Sequence, residues 1–205
     1  MMVSLGGIAI NLLPVVSYVL ISTFTPGPSN ISSASLAVLH GYKHTLGYQA
    51  GLAAGVFLVM LLSGLISSTL LAVFPVLEPV LRFAGAAYIL YLAFGILKAG
   101  YAFDDGKLKP LGVVPGFMLQ ILNPKLVVYA FTLFTAFLAP ATSSVALLVL
   151  IAALLAATSF GATSLWAGFG TAIKAYLHNP RLRAIVNILL SLSLVYAALS
   201  LLGLL

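Results

Sequence analysis

Two short stretches combine a helix breaker with groups able to bind an anion: Thr25-Pro26-Gly27-Pro28-Ser29-Asn30 and Leu122-Asn123-Pro124-Lys125. Proline has no N–H, so Pro26 cannot donate to the carbonyl of Ser22, Pro28 to that of Phe24, or Pro124 to that of Gln120. Beyond each break a new helix can start. Pro28 suits the first helical position, which leaves the N–H groups of Ser29, Asn30 and Ile31 free, and Asn123 suits an N-cap followed by Pro124. Exposed helix N-termini attract anions, so the breaks predict two anion-binding ends. Lys125 adds a full charge to the second. A lone cation at a helix N-terminus is unfavourable without an anion beside it. The predicted chemistry is the capture of a small anion by backbone donors from Ser29 onward, with Lys125 beside it.

The elements that must position these groups lie in lipid. The chain has 205 residues, of which 62% are hydrophobic and 6% charged, with a mean hydropathy of +1.21. Soluble domains carry about 25% charged residues, so a soluble fold, including a soluble nucleic-acid binder, is excluded. There is no cysteine, hence no disulfide or thiolate chemistry. No basic n-region precedes the first apolar run, so that run does not read as a cleaved signal peptide.

Spans of roughly 20 apolar residues are expected at about 8–38, 47–73, 80–98, 111–138, 145–173 and 184–204. The first loop carries His40, Lys43 and His44, and the second carries Glu78 with Arg82 beyond it. The third carries Lys98, Asp104, Asp105, Lys107 and Lys109; the fifth carries Lys174, His178, Arg181 and Arg183. Loops one, three and five hold seven of the nine Lys and Arg residues, which predicts those loops in the cytoplasm and both termini outside. The first and fourth segments are too long for straight spans, and each holds a proline break. Pro124 follows Pro26 by 98 positions, nearly half the chain. Three spans per half make the halves run in opposite directions. The expected architecture is therefore all-α: a multi-pass membrane protein with six transmembrane helices, arranged as two inverted three-helix repeats. Helices 1 and 4 are broken at the proline motifs. It forms one transporter domain over 1–205, with repeat one at about 1–98, a cytoplasmic loop at about 99–110 and repeat two at about 111–205. In such transporters broken helices meet at a mid-depth site, because unpaired backbone is tolerated in a membrane only inside protein or beside a wet cavity.

Lys125 is the only charged residue expected well inside a span, and charge at that depth marks function by default. The alternative, a fourth segment that starts at Asn123 with Lys125 reaching the cytoplasmic surface, leaves only about 15 residues before Pro140, short for a span. Ser22, Thr25, Ser29, Ser32 and Ser33 recur at helical spacing and could line a path, although each singly is better explained by interhelical hydrogen bonds or bonds to carbonyls of its own helix. Gly47, Gly51 and Gly55 read as close helix packing. Tyr88 and Tyr91 are expected mid-span, where their hydroxyls can reach the cavity or the core; Asn187 and Ser191 could do the same. His40 and His44 make a weak metal pair without a carboxylate, so no metal site is assigned. Trp166 needs no special role. There is no catalytic triad, paired nucleophile and base, or phosphate-binding glycine loop, so neither an enzyme nor a cofactor is implied. Candidate proton carriers are Lys125, a histidine, Glu78 or the substrate itself.

Four stretches carry a resemblance: Thr25-Pro-Gly-Pro-Ser-Asn30, GYQAGLAAG from Gly47 to Gly55, FAGAAYILYLAFG from Phe83 to Gly95, and GFMLQILNPK from Gly116 to Lys125. In this order and spacing they resemble the LysE/RhtB family of amino-acid exporters. The resemblance implies a secondary active transporter in the inner membrane that exports amino acids or related small metabolites, coupled to the proton-motive force. By position it points to Pro26, Gly27, Pro28, Asn30, Gly85, Tyr88, Asn123, Pro124 and Lys125. With the residue-level reading, the expected substrate-binding set is Thr25, Pro26, Gly27, Pro28, Ser29, Asn30, Tyr88, Tyr91, Asn123, Pro124 and Lys125. The expected partners are an amino acid, protons and the bilayer, with room for a homo-oligomer. Many relatives carry an acidic residue or Asn where this chain has Ser29, and an Asp near Val56 or Phe57. With a cation and no anion at mid-depth, a basic substrate fits this chain poorly. The alternative is a metal or other inorganic ion transporter on the same architecture.

Overall fold

A computed structural model describes residues 2–5, 8–66, 76, 79–80, 83–94, 97, 110–138, 144–176 and 180–204. Among these, β1 (Met2–Leu5) pairs antiparallel with β2 (Ile8–Asn11), Met2 opposite Asn11. This corrects the expected helical start near residue 8. A Gly-Gly pair flanked by Val3, Ile8 and Ile10 is a hairpin signal that outweighs apolar length. Helices then follow: α1 (Leu12–Phe24), α2 (Pro28–His40), α3 (Tyr42–Leu65), α4 (Phe83–Phe94), α5 (Val113–Ile121), α6 (Pro124–Thr132), α7 (Val145–Tyr176) and α8 (Pro180–Leu201). A π-turn over Leu133–Phe137 continues α6. Glu78, Arg82, Lys98, Asp104, Asp105, Lys107, Lys109 and His178 lie outside the described residues.

The chain is overwhelmingly helical and suited to lipid. α3 and α7 are each long and apolar enough to cross a bilayer, and α5 with α6 makes a third candidate bent by 60°. α1, α4 and the apolar stretch of α8 are shorter. Large apolar side chains such as Ile21, Phe83, Leu154 and Phe169 stand on the surface, where hydrocarbon would solvate them.

Both expected breaks are present, at 25–27 and at Leu122-Asn123. A third interruption sits at Gly41, whose φ of +83° lies in the left-handed region that favours glycine. Its N–H donates to the Ala37 carbonyl at 2.8 Å, closing α2 and turning the chain into α3 earlier than the expected residue 47.

The glycines of α3 fix α5 against it. A β-carbon at Gly51 would overlap the Val113 carbonyl; one at Gly55 would meet the Gln120 side chain. Gly116 answers from α5 by lying on the Tyr48 carbonyl, and Gly170 seats α7 on Ala34. Gly47 adjoins Gly112, whereas Gly64 adjoins Phe134 and Leu148. The starts of α3 and α5 therefore share one end of the molecule, and the start of α7 lies at the other.

Two apolar clusters fill the interior. One joins Leu36, Leu52, Ile89, Leu119 and Leu194. The other joins Val56, Leu126, Leu133, Phe134 and Leu148. The division falls between Leu52 and Val56 on α3 and between Leu119 and Leu126 across the second break. The polar groups of both breaks lie at this division.

Candidate functional site

The first break is held open by two side chains. Asn30 Nδ2 donates to the carbonyls of Thr23 and Thr25, both at 2.9 Å. Trp166 Nε1 donates at 3.2 Å to the Phe24 carbonyl, the group that Pro28 cannot serve. The sole tryptophan, expected to need no special role, thus satisfies backbone freed by the break. A lone indole N–H in the middle of a span was the available signal. Thr25 turns its hydroxyl back to the Ile21 carbonyl. The Ser22 carbonyl has no partner among the described residues.

The two new helix starts differ. Gly27 is the N-cap of α2 and supplies no side-chain cap. The Ile31 N–H donates to the Gly27 carbonyl at 2.9 Å, so it is not free as expected. The N–H groups of Ser29 and Asn30 have no partner among the described residues. At α6, Asn123 Oδ1 accepts the Lys125 N–H at 3.1 Å, and the Asn123 carbonyl accepts the Leu126 N–H at 3.0 Å. This second start is closed by its own cap. Of the two helix starts expected to attract anions, the second thus carries the side-chain cap expected of Asn123 and the first carries none.

Lys125 belongs to the open end nonetheless. Its Nζ lies 3.2 Å from where a β-carbon on Gly27 would stand. Glycine at the cap thus leaves the N–H groups open and makes room for the ammonium. The nine residues of α5 separate the start of that helix from the second break by about 13 Å, and the Lys125 side chain beyond it is exposed. None of the described residues is an acid, and none pairs with Lys125.

Gln120 ties the breaks together. Its Oε1 accepts from Ser29 Oγ at 2.6 Å and from Asn123 Nδ2 at 3.1 Å. Sequence reasoning passed over Gln120, although a glutamine within a span is itself a signal. Ser32 and Ser33 instead donate to the Ser29 carbonyl, at 3.1 and 2.7 Å, so they serve the helix rather than a path.

A cavity of about 60 Å³ lies at this junction, space for roughly four to six waters. From the expected set, Thr25, Gly27, Pro28, Ser29, Asn30, Asn123 and Lys125 line it, joined by Ser22, Thr23, Gln120, Tyr129 and Ser159. A second cavity of about 720 Å³ opens toward α8, lined by Pro26, Ile31, Leu192, Ser193 and Tyr196. Gly27, Pro28, Asn123 and Lys125 line both, so they form the partition between them. Pro124 packs toward Gly85. Tyr88 and Tyr91 line neither cavity. The Tyr88 hydroxyl donates to the Pro115 carbonyl at 2.8 Å, and Tyr91 stacks on Tyr88 at 6.0 Å with its outer face exposed. Ser191 is buried in α8 with its hydroxyl unpartnered. His44 turns Nδ1 to the His40 carbonyl at 3.0 Å, a bond within the helix.

One cavity wall carries a polar group without a partner. Tyr129 is 8% exposed. Its hydroxyl stands beside Thr23 yet forms no hydrogen bond of ordinary geometry. A buried hydroxyl left unpaired costs about 1–3 kcal/mol.

Comparison with known proteins shows what the whole chain resembles. The LysE type translocator family model matches residues 20–203. The cysteine/O-acetylserine efflux protein of Salmonella typhimurium (strain LT2) is 35% identical over 183 residues, covering 89% of this chain and 92% of that protein. The protein of that name from Escherichia coli (strain K12) is 34% identical over 182 residues, with the same coverage. No solved structure gave a significant match.

Proposed function

The chain belongs to the LysE type translocator family, and we propose from that premise that it exports a small neutral amino acid held by its carboxylate between the start of α2 and Lys125. One observation carries this reading: an ammonium with no acidic partner among the described residues lies beside the uncapped N-terminus of a broken helix. A carboxylate there accepts from the Ser29 and Asn30 N–H groups and neutralises Lys125. The unpartnered Ser22 carbonyl is the acceptor for the substrate ammonium. The relatives named for cysteine and O-acetylserine efflux support a three-carbon amino acid with sulfur or oxygen on its β-carbon. A second positive charge on the substrate would meet Lys125 with no acid among the described residues, which disfavours lysine, arginine and metal cations.

Transport follows from the partition. Gly27, Pro28, Asn123 and Lys125 separate the two cavities, so small relative movements of the broken helices transfer the bound molecule from one to the other. In this reading the six spans form two inverted repeats in the inner membrane. Both termini face outward, as the basic loops favour, and the proton gradient drives export.

Proteoliposomes loaded with an amino-acid mixture and given a pH gradient test this, with mass spectrometry of what leaves. Cysteine, O-acetylserine or close analogues should be lost selectively and only with the gradient imposed. Folded protein that releases none of the mixture selectively would refute the exporter reading. Selective but gradient-independent loss would remove proton coupling alone.

A further inference from the structure

The cavity has a second recognition point, one turn along α6 from Lys125. Tyr129 follows Lys125 by four residues, so both face one side of the helix. Its ring is fixed by Tyr18, at a centroid distance of 5.5 Å, and Tyr18 is held in turn by Phe137 at 5.3 Å. The hydroxyl is therefore set in position rather than free to seek a partner elsewhere. It is buried, beside Thr23, and unpartnered among the described residues. Tyr129 lines the cavity, so with the carboxylate at the Lys125 end, the part of the ligand beyond the α-carbon would extend toward this residue.

We propose that the Tyr129 hydroxyl, with Thr23 beside it, reads the substrate side chain by donating a hydrogen bond to a sulfur or oxygen on the β-carbon. The proposal rests on the amino-acid reading above and adds the group that sets selectivity. A phenol O–H donates to a thiol sulfur and to an ester oxygen alike, so one donor serves both. A substrate with a methyl group there leaves the hydroxyl unpaired again. Sites built around a buried hydrogen-bonding group reject analogues that lack its partner.

The test compares cysteine with 2-aminobutyrate, which replaces the thiol with a methyl group. Uptake of each into proteoliposomes is measured under reducing conditions for the intact protein and for Tyr129→Phe. The intact protein should favour cysteine by at least tenfold. Tyr129→Phe should lower cysteine uptake about tenfold, leave 2-aminobutyrate uptake unchanged or raised, and keep its melting temperature. An unchanged ratio in a folded variant overturns the assignment while the exporter reading stands. Transport of neither amino acid by the intact protein overturns both. Should the variant not fold, the intact protein still decides: equal handling of the two amino acids overturns the proposal.

Discussion

Lys125→Gln is expected to lower amino-acid efflux about a hundredfold while leaving the protein folded. A bound carboxylate would cover the exposed Lys125 side chain. Removing one partner of a charge pair so enclosed costs about 2–5 kcal/mol, and each 1.36 kcal/mol is a factor of ten, which brackets that loss. The folded state should not suffer, because Lys125 pairs with no described residue and sits at a helix start that disfavours cations. The melting temperature in detergent is therefore predicted to hold or rise. Proteoliposome efflux and thermal unfolding together check this. A folded variant with undiminished efflux would place the carboxylate elsewhere.

Gln120→Leu should act through the fold. Gln120 is 3% exposed, and its Oε1 is shared by Ser29 and Asn123 from opposite sides of the junction. Leucine fills the space but leaves two enclosed donors without an acceptor, at about 1–3 kcal/mol each. A loss of about 4 kcal/mol is expected, with efflux lost in parallel because the breaks are no longer registered to one another. Combining it with Ser29→Ala should recover part of the stability, since one orphaned donor disappears. Unchanged unfolding of the single variant would show that the Gln120 bridge contributes nothing.

The two breaks, the glycine packing of α3 and the place of Lys125 at the second break were legible in the sequence because each follows from a local rule. Proline cannot donate, glycine admits a neighbouring backbone, and a lysine does not enter a span without cause. The difference between the helix starts was half legible. Asn123 announces a cap, but that Gly27 leaves its end open for Lys125 depends on a contact 98 positions away. For Tyr88 and Tyr91 the sequence left cavity and core both open, because depth along α4 does not reveal which side of the helix meets the cavity. Gln120, Tyr129 and Trp166 were missed for a related reason. Their roles lie in partners on other helices, and a span that is apolar all round carries little phase information. The N-terminal hairpin was hidden by composition, since Val and Ile raise hydropathy as much as they favour strands.

The central claim is that the substrate enters as a carboxylate, and one competition experiment tests it most directly. Proteoliposomes would take up labelled cysteine in the presence of unlabelled cysteine or cysteamine, the amine that remains when the carboxylate is removed. The account predicts that cysteine competes fully and that cysteamine, even in large excess, does not. Equal competition by cysteamine would contradict the pairing of Lys125 and the α2 N-terminus with a carboxylate.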